Sequence, residues 1–424
     1  MLMGTPEGNE LILDKPKAVF IEELTPAQKA KLYKEKVGDS LPVGLFNLGN
    51  TCYMNSTLQV LKKMKELVNE LFKYNGATNS TYISEALVAN LKKLYKDMES
   101  TSNPIKPIMF IESIHLAFPQ FAQVDNEGYP MQQDTEEFWT LLLTELERNL
   151  NPEIAKLYNI DFEEELQNTE LESEPPKKTI VTLKKLSCNL TLEQNQINYL
   201  SEAIKFSLEG TIEKQSELLG RNAIYKKTSK IKTLPPYLTV QFVRFFWKEA
   251  SSIAATKSTK TKVLRAVNFP KVLDLYDLCT NETKEILDIG KKEEYNLIEE
   301  ETKKIIEQKP KIVDQEEDKK DKTSSKDKAI NAITDEQLKV PIGTGKVTGK
   351  YQLIGVVSHK GRSADSGHYV GWTHSHGNNW DEYDDEIVKS VSLENILDLK
   401  GGGDWHIAYL LLYRRLEVAN SEKK

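Results

Sequence analysis

Apolar positions recur at helical spacing through the first third of the chain and at strand spacing through much of the rest. After Cys52, the residues Leu58, Val60, Leu61, Met64, Leu67, Val68 and Leu71 fall close to a 3.6-residue period and predict an amphipathic helical run. Further helices are predicted near 83–99, 108–117 and 133–150, broken by Pro104, Pro107 and Pro119. Upstream, 18–21 reads as a short strand. A helix follows, with Thr25 as its N-cap and Pro26 in its first turn. From Lys177 onward β-branched and aromatic residues concentrate, and strands are predicted over 179–182, 187–192 and 238–246. The stretch 234–247 is too uniformly apolar for a sheet edge and reads as a central strand. Strands resume over 351–358, 368–373 and 406–414. Residues 161–176 are acidic, end in Pro175-Pro176, and read as a loop insertion.

One segment breaks the pattern. More than half of residues 291–328 are Lys, Asp or Glu, and Tyr295 is their single aromatic. Such a composition buries too little apolar surface to offset the entropy of ordering. The expectation is an exposed helix over 281–300 and a largely disordered stretch over 302–345. This charged insert of about 281–346 interrupts an otherwise continuous domain over 18–415, flanked by tails at 1–17 and 416–424. A long insertion is tolerable because loop-closure entropy grows slowly with length.

Composition narrows the class. Apolar residues make up 39% of the 424, enough for a packed core, while 29% are charged. Mean hydropathy is -0.50, the net charge is -7 and the pI is near 5.7. No basic stripe stands out, so nucleic acid is not an expected partner. The longest apolar stretches, such as 407–413, are too short to span a bilayer, and no membrane partner is expected. The N-terminal residues have no basic region followed by an apolar core, so no secretory signal is read there. The three cysteines, Cys52, Cys188 and Cys279, are scattered and odd in number. That fits neither a disulfide framework nor a four-ligand zinc site. Cys188 and Cys279 read as core thiols.

Cys52 is different. It follows two glycine-containing turns in residues 44–55, GLFNLGNTCYMN, at the start of the helical run. A thiol in the first turn of a helix meets unpaired N–H groups and the positive end of the dipole, which favours the thiolate. Far downstream, Gly367-His368-Tyr369 joins a Ser- and Gly-rich loop to an apolar strand. A second strand, after the polar turn 373–379, would return Asp384 to the side of His368. Nucleophile, base and orienting carboxylate form the constellation of a thiol hydrolase.

The box around Cys52 and the box around His368 resemble those of the ubiquitin-specific proteases, a family of deubiquitinases. Residues 129–138, YPMQQDTEEF, resemble the family's Gln-Asp box. Residues 234–247, LPPYLTVQFVRFFW, resemble its palm strand, and 401–409, GGGDWHIAY, its C-terminal strand. These last two, with MLMGT at the N-terminus, are similar to the proteasome-associated subfamily. The resemblance covers residues 18–280 and 347–415.

It implies an α+β, papain-like cysteine protease with a helical thumb, a β palm and β fingers. The fingers are expected to be zinc-free, since the usual two CxxC pairs are missing, and no cofactor is implied. The implied reaction is hydrolysis of the isopeptide bond at the C-terminal glycine of ubiquitin. Cys52 would be the nucleophile, His368 the base and Asp384 its orienting acid. Asn47 and the Cys52 N–H would form the oxyanion hole, with Asp385 assisting. Gln133, Asp134 and Glu137 would hold the ubiquitin tail. Two loops, 246–262 with Phe246 and Trp247 and 361–367 with Ser363 and Ser366, would gate the cleft.

The implied partners are ubiquitin, its conjugates and the 26S proteasome regulatory particle. The implied protein is a monomer in the cytoplasm, with the nucleus as a second compartment. The ubiquitin-like domain that relatives use for docking is expected to be missing, with MLMGT as the remnant of its end. Two alternatives stay open at this point: a peptidase for another ubiquitin-like modifier, and a ubiquitin-binding pseudoenzyme.

Overall fold

In a computed structural model of the protein, the apolar run after Cys52 folds as two helices, α1 (Cys52–Leu61) and α2 (Lys65–Lys73). The described residues are 41–190, 197–248, 259–307, 317–361, 366–403 and 405–420. The expected tail over 1–17, the strand and helix over 18–40, and Ser363 lie outside them. Residues Pro42–Lys424 form one unit.

Three more helices complete the thumb: α3 (Ile83–Ser100), α4 (Ile108–Ala117) and α5 (Thr135–Asn149). Each lies within two residues of its expected bounds, because proline and capping chemistry sit at the ends. Pro119 opens a 3₁₀ turn after α4, and the Asp134 carboxylate accepts from Glu136 N at 2.8 Å to cap α5. All ten residues of α1 are buried. A helix apolar or satisfied on every side belongs in a core, and α1 is enclosed by the thumb helices and the palm sheet. Tyr53 packs on Phe121 and Phe138, with ring centroids 5.7 and 5.6 Å away. Each fully buried Leu or Phe of this core contributes on the order of 1.5–3 kcal/mol of transfer free energy.

The remainder is mostly β. In chain order come β1 (Ile160–Asn168), β2 (Lys177–Leu183), β3 (Leu186–Asn189), α6 (Leu200–Leu208), β4 (Glu209–Ser216), β5 (Arg221–Thr233) and β6 (Tyr237–Val243). Then follow β7 (Phe245–Lys248), β8 (Thr259–Lys262), β9 (Val272–Asp274), α7 (Asn281–Glu307), α8 (Glu317–Lys339) and β10 (Lys346–Lys360). The chain closes with β11 (His368–His376), β12 (Asn379–Asp384), β13 (Ile387–Ser392), α9 (Leu393–Leu397) and β14 (Ile407–Val418).

Eight strands build the palm, in the order β13-β12-β11-β10-β14-β6-β3 with β9 beside β10. The expected central strand is β6, paired on both sides, by β14 and by β3. The fingers are a four-stranded sheet, β2-β1-β5-β4, with no cysteine in any strand. Cys188 lies in the palm strand β3 and Cys279 after β9; both are buried, and burial pushes both thiols up to about 12. Among the described residues, no helix is long and apolar enough to cross a membrane.

Three expectations are corrected. The acidic stretch read as a loop over 161–176 contains β1, a central strand of the fingers. Its charges are matched across the sheet: Lys178 Nζ lies 2.9 Å from Glu163 and 3.5 Å from Glu165, and Lys227 pairs with Glu164. The helix expected over 281–300 is α7, which runs on to Glu307, and the stretch read as largely disordered over 302–345 contains α8. These helices pack on each other and α7 packs on β10. Leu287 is buried there, and the rest of the contact uses small and polar residues. A Cβ at Gly290 would stand 2.1 Å from the Val347 carbonyl, and Gln337 Nε2 donates to Glu294 at 3.1 Å. Lys350 Nζ donates to the same carboxylate at 2.6 Å, so charges are paired where the helix meets the sheet. Finally, β14 continues to Val418, past the expected tail boundary. There the buried Glu417 carboxylate accepts from Arg415 and from Gly343 and Gly345 N.

Candidate active site

The segment before α1 is shaped by its own side chains. Asn47 Oδ1 accepts from Gly49 N and Thr51 N, both at 3.1 Å, and Thr51 Oγ1 accepts from Leu48 N at 3.0 Å. Gly49 and Asn50 both take positive φ, 103° and 51°. Asn50 is held there by a 2.7 Å bond from its Nδ2 to Pro130 O. Asparagine tolerates this region because its side chain can bond locally. The turn delivers Cys52 to the first position of α1, 2% exposed.

His368 opens β11 and Asp384 closes β12, and these strands pair antiparallel with Gly371 opposite Tyr383. The register brings the two side chains together: His368 Nε2 lies 2.6 Å from Asp384 Oδ1. Cys52 lies close enough to His368 to influence its imidazole directly. The spacing between helix and sheet is set by glycine. A Cβ at Gly371 would stand 3.1 Å from Ser56 O, and one at Gly355 would stand 2.7 Å from Val60. α1 therefore lies against bare backbone of β11 and β10, one turn past Cys52 and three residues past His368.

Burial alone would pull His368 down. The hydrogen bonds and charges of Asp384 and Cys52 outweigh it and raise the imidazole to about 10. Burial pushes Asp384 up, but the His368 bond and charge win, and its carboxyl lies below the ordinary value. The neighbouring His406, its ring centroid 6.4 Å from that of His368, is pressed down to about 4 by burial and by the His368 charge. Hence one imidazole carries the charge while its neighbour stays neutral.

Asp385 sits in the turn after β12 with φ of 53°. Its Oδ2 accepts from Asn47 Nδ2 at 2.9 Å and its Oδ1 from Asn55 Nδ2 at 2.8 Å. Burial raises its carboxyl above the ordinary value. His368, Asp384 and Asp385 form the one group of three metal-capable side chains among the described residues, with ligand atoms within 4.8 Å of one another. Hydrogen bonds from Asn47 and Asn55 to Asp385, and between His368 and Asp384, already engage them.

A family model for "Ubiquitin carboxyl-terminal hydrolase" matches residues 43–413. The chain belongs to that family. It is a cysteine-type ubiquitinyl hydrolase with the papain-like α+β fold of the ubiquitin-specific proteases. The "Ubiquitin carboxyl-terminal hydrolase 6" of Arabidopsis thaliana is 36% identical over 431 aligned positions, covering 98% of this chain and 85% of that protein. The protein of the same name from Schizosaccharomyces pombe is also 36% identical, over 93% of this chain and 82% of its own. The "Ubiquitin carboxyl-terminal hydrolase 14" of Caenorhabditis elegans is 33% identical, over 97% of this chain and 80% of its own.

The other expected site residues of the hydrolase fall in several places. Asp134 caps α5 and also accepts from Tyr409 Oη at 2.9 Å, which ties thumb to palm. Gln133 presents a buried Nε2 with no partner, as does Gln132. Glu137 is exposed on α5, where it accepts from Gln120 Nε2 at 3.4 Å. Phe246 and Trp247 lie in β7, whose hairpin with β8 ends at Lys262, and Ser366 is exposed just before His368.

The sequence reading missed Lys262 as a link. Its buried Nζ bonds His359 Nδ1 at 2.8 Å, His359 O at 2.7 Å and Gly361 O at 3.0 Å. It therefore joins the hairpin to the start of the second loop. A lysine in a polar TKTK run carries no sequence signal for this. Tyr409 and Asn55 were also missed as site residues. Each lies inside a motif, and only its partners reveal its use.

The pair has a pH consequence. The folded-state value of His368 lies above its ordinary 6.5 or so. The charged imidazole therefore stabilises the fold fully below about pH 6.5, and that stabilisation is lost as pH rises through about 10. Urea denaturation of wild type and His368→Ala should show their stability difference shrinking across this window. A difference that stays constant would contradict the charge assignment.

Proposed function

We propose that this hydrolase cleaves the isopeptide bond between the C-terminal glycine of ubiquitin and a substrate lysine, trimming conjugates held at the 26S proteasome. Cys52 attacks the carbonyl carbon as thiolate. The His368 imidazolium protonates the leaving amine, and the neutral ring then takes a proton from the water that hydrolyses the thioester. Asp384 keeps the ring oriented. The oxyanion is met by Cys52 N–H and by the second N–H of Asn47 Nδ2, the one not spent on Asp385.

The observation that carries this reading is the meeting of Cys52, His368 and Asp384, with His368 to Asp384 at 2.6 Å, beside an Asn47 held in one orientation. The tail of ubiquitin ends in Gly-Gly, so a narrow channel suffices. The unpartnered amide donor of Gln133, with Asp134 and Glu137 nearby, supports a role in binding that backbone. The loop carrying Phe246 and Trp247 follows β6, the loop carrying Ser363 and Ser366 directly precedes His368, and we assign both the gating of the cleft. The subfamily likeness supports proteasome association, a monomeric enzyme, and a cytoplasmic and nuclear location.

The test is labelling. A ubiquitin C-terminal electrophile should modify Cys52 alone, in parallel reactions where probes made from other ubiquitin-like modifiers do not react. Turnover of a ubiquitin–fluorophore conjugate should rise sharply when 26S proteasomes are added. Faster labelling by another modifier would reassign the substrate, and no labelling would end the proposal. An unchanged rate with proteasomes would remove the gating and docking part.

A further inference from the structure

Asn55 lies one turn into α1, behind the nucleophile, and is 3% exposed. It touches no substrate position. Its Nδ2 is nevertheless surrounded by acceptors that all belong to the oxyanion side of the site: Asp385 Oδ1 at 2.8 Å, Leu45 O at 3.2 Å and Phe46 O at 3.3 Å. The first is the carboxylate whose other oxygen holds Asn47. The second and third are the backbone carbonyls immediately before Asn47. The same segment is fastened to the turn carrying Asp385 by Leu45 N donating to Asp385 O at 2.9 Å. It lies so close that a Cβ at Gly44 would stand 2.5 Å from Glu386 O.

The Asn55 Oδ1 is buried and has no partner. Turning the amide over would set that oxygen against three acceptors, so the orientation is determined by the cradle. The cradle suits the two N–H groups of Asn55.

We infer that Asn55 is a positioning residue of the oxyanion hole. It acts through Asp385 and the 45–46 backbone to hold the Asn47 amide where the tetrahedral intermediate needs it. The inference rests on the oxyanion role proposed for Asn47. With Asn55 absent, Asp385 keeps Asn47 as its amide partner but loses the donor that fixes its own rotation. Asn47 then samples orientations in which its free N–H misses the oxyanion. Of the attack and proton-transfer groups, only His368 borders this chain of contacts, its Nε2 3.9 Å from Asp385 Oδ2, while its hydrogen bond goes to Asp384.

The experiment compares Asn55→Ala, Asn47→Ala and the double variant in the full chain. It reads kcat and KM on a ubiquitin–fluorophore conjugate and the rate of Cys52 alkylation by chloroacetamide, a reaction with no oxyanion. Asn55→Ala should lower kcat by about tenfold, a fraction of the ~10²–10³ that an oxyanion donor supplies. KM and the alkylation rate should stay within about twofold of wild type, and the variant should cost little further in the Asn47→Ala background. Asn55→Ser, whose hydroxyl can bond its own helix backbone, serves if the alanine variant does not fold, with the same expectations.

Alkylation falling in step with kcat would overturn the inference, because it would indicate a disturbed nucleophile. So would an unchanged kcat, or a multiplicative loss in the double variant. If Asn47→Ala itself kept full kcat, the oxyanion assignment would fail first. If Asn47→Ala lost activity and Asn55→Ala did not, only the positioning role of Asn55 would fail.

Discussion

Cys52→Ala should reduce turnover of a ubiquitin–fluorophore conjugate by roughly six orders of magnitude. Removing the nucleophile of an interacting triad costs about as much as removing the whole triad. No other cysteine can substitute, since Cys188 and Cys279 are buried and their thiols are pushed up to about 12. The fold should survive. Alanine is smaller at a site already bounded by backbone, and His368 keeps Asp384 at 2.6 Å. Ubiquitin affinity, read by calorimetry on the inactive variant, should therefore be retained. Loss of the Cys52 side chain also removes one of the influences that raise His368, so the imidazole should titrate lower in the variant, which NMR of the ring protons can follow. Residual turnover above a few thousandths of wild type would refute the nucleophile assignment.

Asn47→Ala is expected to lower kcat by about 10²–10³ with KM nearly unchanged, the pattern of a donor used only in the transition state. The residue is exposed, so little packing is lost. Two side effects are separable from the kinetics. The turn 47–51 loses the Oδ1 acceptor for Gly49 N and Thr51 N, and the buried Asp385 loses one amide donor. The second effect should raise the Asp385 carboxyl further, and stability should weaken toward low pH less steeply than in wild type. Asn47→Asp is the informative companion: it keeps the acceptor for the turn and sets two carboxylates face to face. A variant in which KM rises and kcat holds would assign Asn47 to ground-state binding.

The helices of the thumb were legible because their signals are local. Asp134 caps α5, Pro119 opens the turn after α4, and apolar residues recur at 3.6-residue spacing between. The strand β1 was not, because Glu163, Glu164 and Glu165 look like a solvated loop until Lys178 and Lys227 are set across from them by strand pairing. The start of α7 was legible as a helix, but its burial, its extension to Glu307 and the whole of α8 were not, because much of their packing uses a glycine, a glutamine and paired charges. Composition counts such residues as surface.

The chain alone determined the family and carried the candidate chemistry: a cysteine in a glycine- and asparagine-rich turn, a histidine entering a strand, an acid one hairpin later, and an asparagine before that cysteine. Reactivity belongs to residue types and to local backbone, and both are written in short motifs. Tertiary structure decided which of the neighbouring polar groups touch. It gave Asp384 to His368 and Asp385 to Asn47 and Asn55. It set the thumb against the palm through Gly371 and Gly355. Those choices depend on strand register and on how closely two backbones approach. Neither is a property of any stretch of sequence taken by itself.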